Sequence, residues 1–348
     1  MRLLCSILHS ACPLVLLAVL LPWLSSCEPI WDDEDCGTEY RVKFKYDYNM
    51  LYTDAFATQV HSVTLYAFDH DGRLAFQRSE QGEALAQDGY SMVLDVDPGQ
   101  YHLVAWAGLF EGKGFSVPTL TEGQSTIDDL YCRINREEQL LRNQEAEVVD
   151  YRLQALWHGY LPAQAVTRAP SRTEYLTVPL TRDTHTLRVI LQQMSGEALD
   201  ASLFEISVTD RNGWMNYDNT LDPADGMLTY LPYYQQGGSA DIEGSATPGE
   251  EGVLNMCVAE LTTGRLMAGS DARLTVRRTD TGDIVLSIPL IQYLEMCRTV
   301  ANYQMPLQEY LDREDTFAMT FFLDGNHAWI DTQVIINDWI VRFNDINP

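Results

Sequence analysis

The sequence predicts an all-β protein made of two antiparallel β-sandwich domains. From residue 40 onward, apolar and polar residues alternate in short runs, which is the period of half-buried strands. Segments rich in Gly, Asp, Asn and Pro separate these runs, as turns do in sandwiches. The chain has 348 residues, of which 46% are apolar. At roughly 150 residues per domain, this is enough for two domains with their own cores.

The first predicted strand, YRVKFKYDY, begins at Tyr40. In it, Val42, Phe44 and Tyr46 alternate with basic residues, so these three should face a core. Residues 60–77 predict a hairpin closed by the turn DHDG, because its glycine can take positive φ.

A second hairpin is predicted from residues 90–96 and 101–108, which are joined by the turn DPGQ. Residues 135–147, NREEQLLRNQEAE, suit a short helix, and 151–160 return to a strand pattern. Two further strand runs are expected within 173–193.

The second half repeats this style. Residues 202–210 and WMNYD predict a hairpin, 235–252 a mobile Gly- and Ser-rich loop, and 307–315 a short helix. Strands are predicted in the segments 253–261, 272–280, 284–290, 317–324 and 332–343. The domain organisation expected from the sequence is a signal peptide at 1–26, a lipidated acidic linker at 27–38, an N-terminal sandwich at 39–182 and a C-terminal sandwich at 183–348.

The N-terminus has the pattern of an export signal. A positive start at Arg2 precedes the uncharged run LVLLAVLLPWL, which begins at Leu14 and is too short to span a bilayer as a helix. The run ends in Leu24, two serines and Cys27. This resembles a lipobox, in which cleavage between Ser26 and Cys27 leaves the cysteine acylated, with palmitate among the expected groups. The alternative is a simple signal peptide with Cys27 left as a thiol or in a disulfide.

A lipid anchor at Cys27 would place the protein on a bacterial outer membrane. Each buried methylene contributes about 0.8 kcal/mol, so several acyl chains make a lasting anchor. The acidic run WDDED at 31–35 resembles the signal that sends some lipoproteins to the outer face of that membrane. The alternative reading is a solvated linker.

The remaining cysteines leave two alternatives open. The pairs Cys36–Cys132 and Cys257–Cys297 would each stay within one predicted domain, and disulfides suit an exported protein. Buried thiols are the other reading. None of these cysteines forms a CxxC motif, so no metal site is expected.

Composition and motifs argue against several function classes. Lys and Arg total 23 against 50 Asp and Glu, and a net charge of −27 repels nucleic-acid phosphates. The sequence has no HExxH, GxSxG, Walker A or GxGxxG motif, and DHDG lacks the spacing of a calcium loop. We therefore expect no enzyme activity, no cofactor and no small-molecule substrate.

Several blocks resemble the fimbrial anchor-subunit family of type V pili, the fimbrillin-associated lipoproteins. These are FKYDYNMLYTDAFATQVHSVTLYAFDHDGRL (44–74), LDVDPGQYHLVAWAG (94–108), and, in the second half, LTRDTHTLRVIL, FFLD and INDW. The resemblance implies two transthyretin-like sandwiches, a lipid anchor in the outer membrane, and attachment of fimbrial shaft (fimbrillin) subunits with control of fimbrial length.

The same resemblance implies assembly by β-strand exchange or addition, in which a donated strand completes a partner's sheet. The C-terminal strand is the candidate, with Val334, Ile336 and Trp339 facing inward if that strand leaves or extends its own sheet; the alternative is an ordinary closing strand of the second domain. Arg168, in VTRAPSR, lies in a segment that suits either a protease-sensitive loop or a plain exposed loop.

A different class of function is capture of glycans at the cell surface. Aromatic side chains on an open face bind sugars, and LTYLPYYQQGG (228–238), with Tyr233 and Tyr234, is the best candidate. Packing of the aromatic residues in the cores is the competing reading. Three coplanar rings on one face would favour glycans, whereas a long open sheet edge with apolar pockets would favour strand exchange.

Overall fold

Strands make up most of the fold. The structure is a computed structural model that describes residues 38–167, 172–195, 197–241, 253–336 and 339–342. Within these residues, strands form five sheets and the helices are short. The all-β prediction is confirmed.

The strands of the first half precede residue 183. They are β1 (Glu39–Lys45), β2 (Ser62–Phe68), β3 (Leu74–Gln81), β4 (Met92–Leu94), β5 (Gly99–Ala107), β6 (Phe115–Ser116), β7 (Tyr131–Ile134), β8 (Glu137–Leu141), β9 (Gln144–Val149), β10 (Trp157–Val166), β11 (Thr173–Pro179) and β12 (Thr181–Arg182). The helix α1 (Phe56–Gln59) and two 3₁₀ turns, Glu83–Ala86 and Ile127–Asp129, lie between them.

The second half begins with a long strand that pairs on both sides. Its strands are β13 (His185–Gln193), β14 (Phe204–Asp210), β15 (Trp214–Asn216), β16 (Leu228–Tyr230), β17 (Tyr234–Asp241), β18 (Val253–Thr263), β19 (Arg273–Arg278), β20 (Ile284–Pro289), β21 (Thr316–Leu323), β22 (Trp329–Ile336) and β23 (Trp339–Arg342). Its helices are α2 (Leu290–Val300), α3 (Leu307–Arg313) and a 3₁₀ turn, Ala201–Leu203.

Two sheets enclose the first core. One has the strand order β11-β1-β4 and the other β12-β10-β5-β2-β3. As predicted, Val42, Phe44 and Tyr46 are buried in this core, while Arg41 and Lys43 on the opposite face of the strand are more exposed. Burial of alternate side chains is what a strand with one wet face requires.

The five-stranded sheet is covered on both faces, because β2 contributes to two cores. Leu65 and Ala67 belong to the first core, whereas Tyr66 and Phe68 belong to the second. All seven residues of β2 are buried. The sequence shows the reason, since bulky aromatic residues occupy the positions that would otherwise face water.

Two six-stranded sheets supply most of the second core. Their orders are β17-β18-β13-β21-β22-β23 and β20-β19-β14-β16-β9-β8. The second of these sheets takes β8 and β9 from the N-terminal side of the predicted domain boundary at 182/183, and β9 pairs with β16. That boundary stays a prediction. Most strand pairs are antiparallel, but β1–β11, β13–β21 and β9–β16 are parallel.

Two predicted hairpins are wrong. Strand β4 pairs with β1, and β5 pairs with β2 and β10, so residues 90–108 cross from one sheet to the other. Crossing lets both strands direct apolar residues, Met92 and Leu103 among them, into the same core. Likewise β14 pairs with β16 and β19, while β15 pairs with β7.

The helix predicted over 135–147 is also wrong, because β8 and β9 form a hairpin there. Arg142 and Asn143 connect them, both with positive φ (51° and 64°), as a two-residue turn requires and a right-handed helix forbids. The predicted loop at 235–252 begins as strand β17, and residues 242–252 lie outside the described residues. Helix α3 confirms the short helix predicted at 307–315.

Candidate functional site

The predicted anchor lies outside the described residues. This holds for Ser26 and Cys27, for the signal peptide, for the acidic run at 31–35 and for Arg168. The lipidation and cleavage assignments therefore stay predictions.

The predicted exchange strand forms a hairpin at a sheet edge. Val334 and Ile336 lie in β22, which pairs with β21 on one side and with β23 on the other. Trp339 begins β23 and is opposite Ile336 in the register. Among the described residues, β23 pairs with β22 alone, so it is one edge of its six-stranded sheet. The exchange role of these three residues stays a prediction.

The opposite edge of this sheet is β17, which pairs with β18 from Tyr234 to Asp241. Its side chains alternate in environment. Tyr234, Gln236 and Gly238 are exposed on the outer face, whereas Gln235 donates from Nε2 to the Ala201 carbonyl at 2.7 Å and to the Phe204 carbonyl at 2.8 Å.

An open depression of about 640 Å³ lies on the outer face beside β17. It is lined by Arg188, Ile190, Tyr233, Tyr234, Val258 and Glu260. A smaller depression of about 250 Å³ continues along the strand and shares Tyr234 and Val258 with the first. Its other lining residues are Gln236, Gly237, Gly238, Ser239 and Met256.

Polar contacts hold the floor of the larger depression. Glu260 accepts from Arg188 Nε at 2.8 Å and from the Tyr233 hydroxyl at 2.9 Å. The bond from Arg188 is the main reason that the pKa of Glu260 is lowered. Arg152 lies over the Tyr233 ring at 5.7 Å. Arg188 and Glu260 thus form an ion pair within this depression.

Several large aromatic side chains pack in the cores, as the competing reading expects. Trp106, Trp157 and Tyr230 are fully buried, and Trp329 packs edge-on against Phe321. Trp214 is half-buried and stacks on the half-buried Tyr131, with ring centroids 4.0 Å apart. Only two aromatic side chains, Tyr233 and Tyr234, line the depression beside β17.

The buried titratable groups make structural contacts. His158 Nε2 is 2.8 Å from the Tyr217 carbonyl, and His185 Nδ1 is 3.0 Å from the Glu314 carbonyl. Burial lowers the pKa of both imidazoles to about 4, which keeps them neutral at pH 7. In the described part of the chain, no group of three or more His, Cys, Asp or Glu side chains is placed to hold a metal ion.

The DHDG segment is a hairpin turn. The Asp69 carboxylate accepts from the backbone N–H groups of Asp71 and Arg73, both at 2.9 Å. Cys132, Cys257 and Cys297 are buried thiols, and no disulfide joins the last two. Cys36 lies outside the described residues.

A buried ionic cluster surrounds Arg265, and no sequence pattern indicates it. Its guanidinium donates to both oxygens of Asp312 at 3.0 and 2.9 Å, and to the Asn219 carbonyl at 2.8 Å. Asp183 lies 3.7 Å from Arg265 Nε and is fully buried, which raises the pKa of its carboxyl to about 7. These residues are distant in sequence, so no local pattern links them.

Residues 32–345 match the family model described as fimbrillin-A associated anchor proteins Mfa1 and Mfa2. The chain belongs to this family. The minor fimbrium anchoring subunit Mfa2 of Porphyromonas gingivalis is 23% identical over 336 residues, which covers 94% of each chain.

Solved structures of similar proteins agree in fold. A candidate adhesin from Bacteroides thetaiotaomicron is 37% identical, covers 90% of this chain and all of its own, and superposes with a TM-score of 0.78. A candidate polysaccharide-binding protein from the same organism is 32% identical over 89% of this chain and all of its own, with a TM-score of 0.75. The fimbrial anchor protein Mfa2 of P. gingivalis, 16% identical, shares the fold over 89% of this chain and all of its own, with a TM-score of 0.63.

Membership of the Mfa1 and Mfa2 family confirms the resemblance noted in the sequence. Within the residues that the structure describes, no helix is long and apolar enough to cross a bilayer.

Proposed function

We propose that this protein is a lipoprotein of the outer membrane that holds the base of a fimbria on the cell. The observation that carries the proposal is the match to the anchor-protein family over residues 32–345. A relative called an anchoring subunit aligns over 94% of both chains, so the likeness is not limited to one segment.

The attachment point is Cys27. The segment LSSC, at the end of an uncharged run, has the order of a lipobox, and the family match begins five residues later. A net charge of −27 opposes adsorption to an anionic membrane, so the acyl chains supply the holding energy at about 0.8 kcal/mol per buried methylene. The acidic run at 31–35 directs the anchored protein to the outer face.

The shaft is joined by β-strand exchange or addition. The C-terminal hairpin is the element proposed for this, with Val334, Ile336 and Trp339 as its exchange residues. In its support, the four described residues of β23 pair with β22 alone within the part of the chain that the structure describes, so one side of this strand is open there. The partner is a fimbrillin subunit, and an anchor that occupies the end of the shaft limits its length. No catalytic role, cofactor, nucleic acid or small-molecule substrate belongs to this proposal.

The Cys27→Ser variant tests the anchor. We expect fimbriae to be shed into the medium and to grow longer than on wild-type cells, while the protein itself stays folded. Cys12→Ser, within the predicted signal peptide, is the matched control and should leave fimbriae attached. Fimbriae of normal length on Cys27→Ser cells would rule out the lipid anchor.

A separate truncation tests the exchange strand. Removing residues 339–348 should reduce association with fimbrillin subunits without releasing the protein from the membrane. Undiminished association after truncation would exclude β23 as the exchanged strand.

A further inference from the structure

Strand β17 is an unusual edge. Among the described residues its backbone pairs with β18 alone, so along eight residues half of its N–H and C=O groups have no strand partner. Such a row is a template for another strand.

Three other edge strands in the described part of the chain carry residues that oppose pairing. Strand β3 also has eight residues, but it carries Arg78 and Glu80, whose side chains form an ion pair at 2.8 Å. Strand β8 begins with Glu137 and Glu138, and β11 ends at Pro179. Charges and proline oppose the addition of strands. The first seven residues of β17, YQQGGSA, contain neither.

The position of β17 is fixed from its inner side. A side chain at Gly237 would place its Cβ 2.7 Å from the Leu199 carbonyl oxygen, so only glycine lets the strand approach this closely. With the bonds from Gln235 to Ala201 and Phe204, this contact holds the strand in place before any partner arrives. A preformed edge lowers the entropic cost of binding.

The outer side of β17 has room for a partner's side chains. A strand added beside β17 would place every second side chain about 5 Å from Tyr234, Gln236 or Gly238. A Cβ at Gly238 would meet nothing within 4 Å, so the space beside it, next to Met256, is open to a bulky apolar group. The depression at Tyr234 offers a second pocket four residues along the strand from Gly238.

We propose that β17 is a second strand-addition edge, which accepts an extended segment of a fimbrillin subunit. This inference rests on the proposed function for the identity of the partner. A second copy of this chain is a poor occupant, because two bodies of charge −27 repel each other. A glycan is less suited, since two aromatic side chains, Tyr233 and Tyr234, line the depression, fewer than the three rings of a sugar platform.

Site-specific photo-cross-linking in fimbriated cells tests the edge. A photoreactive residue at Gln236 of the full chain should give a covalent product with a fimbrillin subunit, identified by mass spectrometry. The matched position is Gln77, exposed on the edge strand β3, where no such product is expected. Absence of the fimbrillin product at Gln236, or a product with a second copy, overturns the inference.

Paired lysine variants supply the second measurement. Gln236→Lys with Gly238→Lys should reduce the fimbrillin product, captured from Tyr234, at least about tenfold, a loss of about 1.4 kcal/mol. Gln77→Lys with Gln81→Lys adds the same charge on β3 and should change nothing. Equal yields from both pairs, or block of the product by soluble polysaccharide, overturn the inference. The Cys27→Ser variant is scored separately. If its fimbriae are shed but the β17 variants have no effect, the lipid anchor is supported and only the role of the β17 edge is rejected.

Discussion

Replacing Arg265 with methionine should destabilise the protein strongly and in a pH-dependent way. The guanidinium is 12% exposed and holds Asp312, which is 5% exposed, through two hydrogen bonds. Removal of one partner from a buried ion pair costs about 3–5 kcal/mol. At about 2 °C per kcal/mol for a chain of this size, the melting temperature should fall by about 6–10 °C.

The pH dependence follows from the carboxyls that remain. Asp183 is already raised to a pKa of about 7 by burial, and Arg265 opposes that rise. Without Arg265, the folded pKa of the Asp183 carboxyl should rise further above its unfolded value. Stability is then retained while this carboxyl is protonated and lost as pH increases. The loss on Arg265→Met should therefore be larger at pH 8 than at pH 5.

Thermal melts of both proteins at pH 5 and pH 8, followed by circular dichroism, measure this effect. Asp280→Ala is the control, because Asp280 also pairs with an arginine, Arg278, but on the surface, where such pairs contribute little. It should leave the melting temperature unchanged. A melting temperature of Arg265→Met within about 1 °C of that of the wild type at pH 8 would refute the reasoning. So would an equal fall in melting temperature at both pH values.

Three further predictions concern the fold. Gly108→Ala should prevent stable folding, since φ is +89° and the new Cβ would lie 2.1 Å from the Ala155 carbonyl oxygen. Gly123→Ala is the control: φ is +73° and nothing lies within 4 Å, so this variant measures the conformational cost alone, about 1–2 kcal/mol. Equal melting temperatures for the two variants would contradict this. Asp183→Asn should gain stability relative to wild type as pH rises from 4 to 7, because the wild-type carboxyl keeps its proton only when folded. Chemical denaturation across that range measures the free energy of unfolding of both proteins. A difference between them that does not change with pH would count against the prediction. Trp106→Ala should lower the free energy of unfolding, measured in urea, by about 3–5 kcal/mol, since the indole is fully buried. Trp214→Ala should lower it much less. A larger loss for Trp214→Ala than for Trp106→Ala would disprove this ranking.

Strand positions followed from the sequence more reliably than strand partners. The alternation in β1 predicted which of Val42 and Lys43 is buried, because one face of that strand meets water. The pairing of β4 with β1 was not predictable, since a turn such as DPGQ serves both a hairpin and a crossover between sheets. Helix α2 was missed because the apolar run of β20 continues into it without a break.

In the candidate site, too, the exposed residues were predictable from the sequence, whereas the strand partners were not. Tyr233 and Tyr234 were identified from the sequence as exposed aromatic residues, and both line the depression beside β17. That β17 is an edge strand depends on the whole sheet order, which no local pattern contains. The same is true of the Arg265 cluster, whose members come from separate elements.

The most direct test of the anchor role is the fraction of fimbriae retained on sheared cells that carry Cys27→Ser. The account predicts that nearly all fimbriae appear in the supernatant, whereas Cys12→Ser cells keep theirs. Retention equal to wild type, with Cys27→Ser protein present at normal amounts, would contradict it.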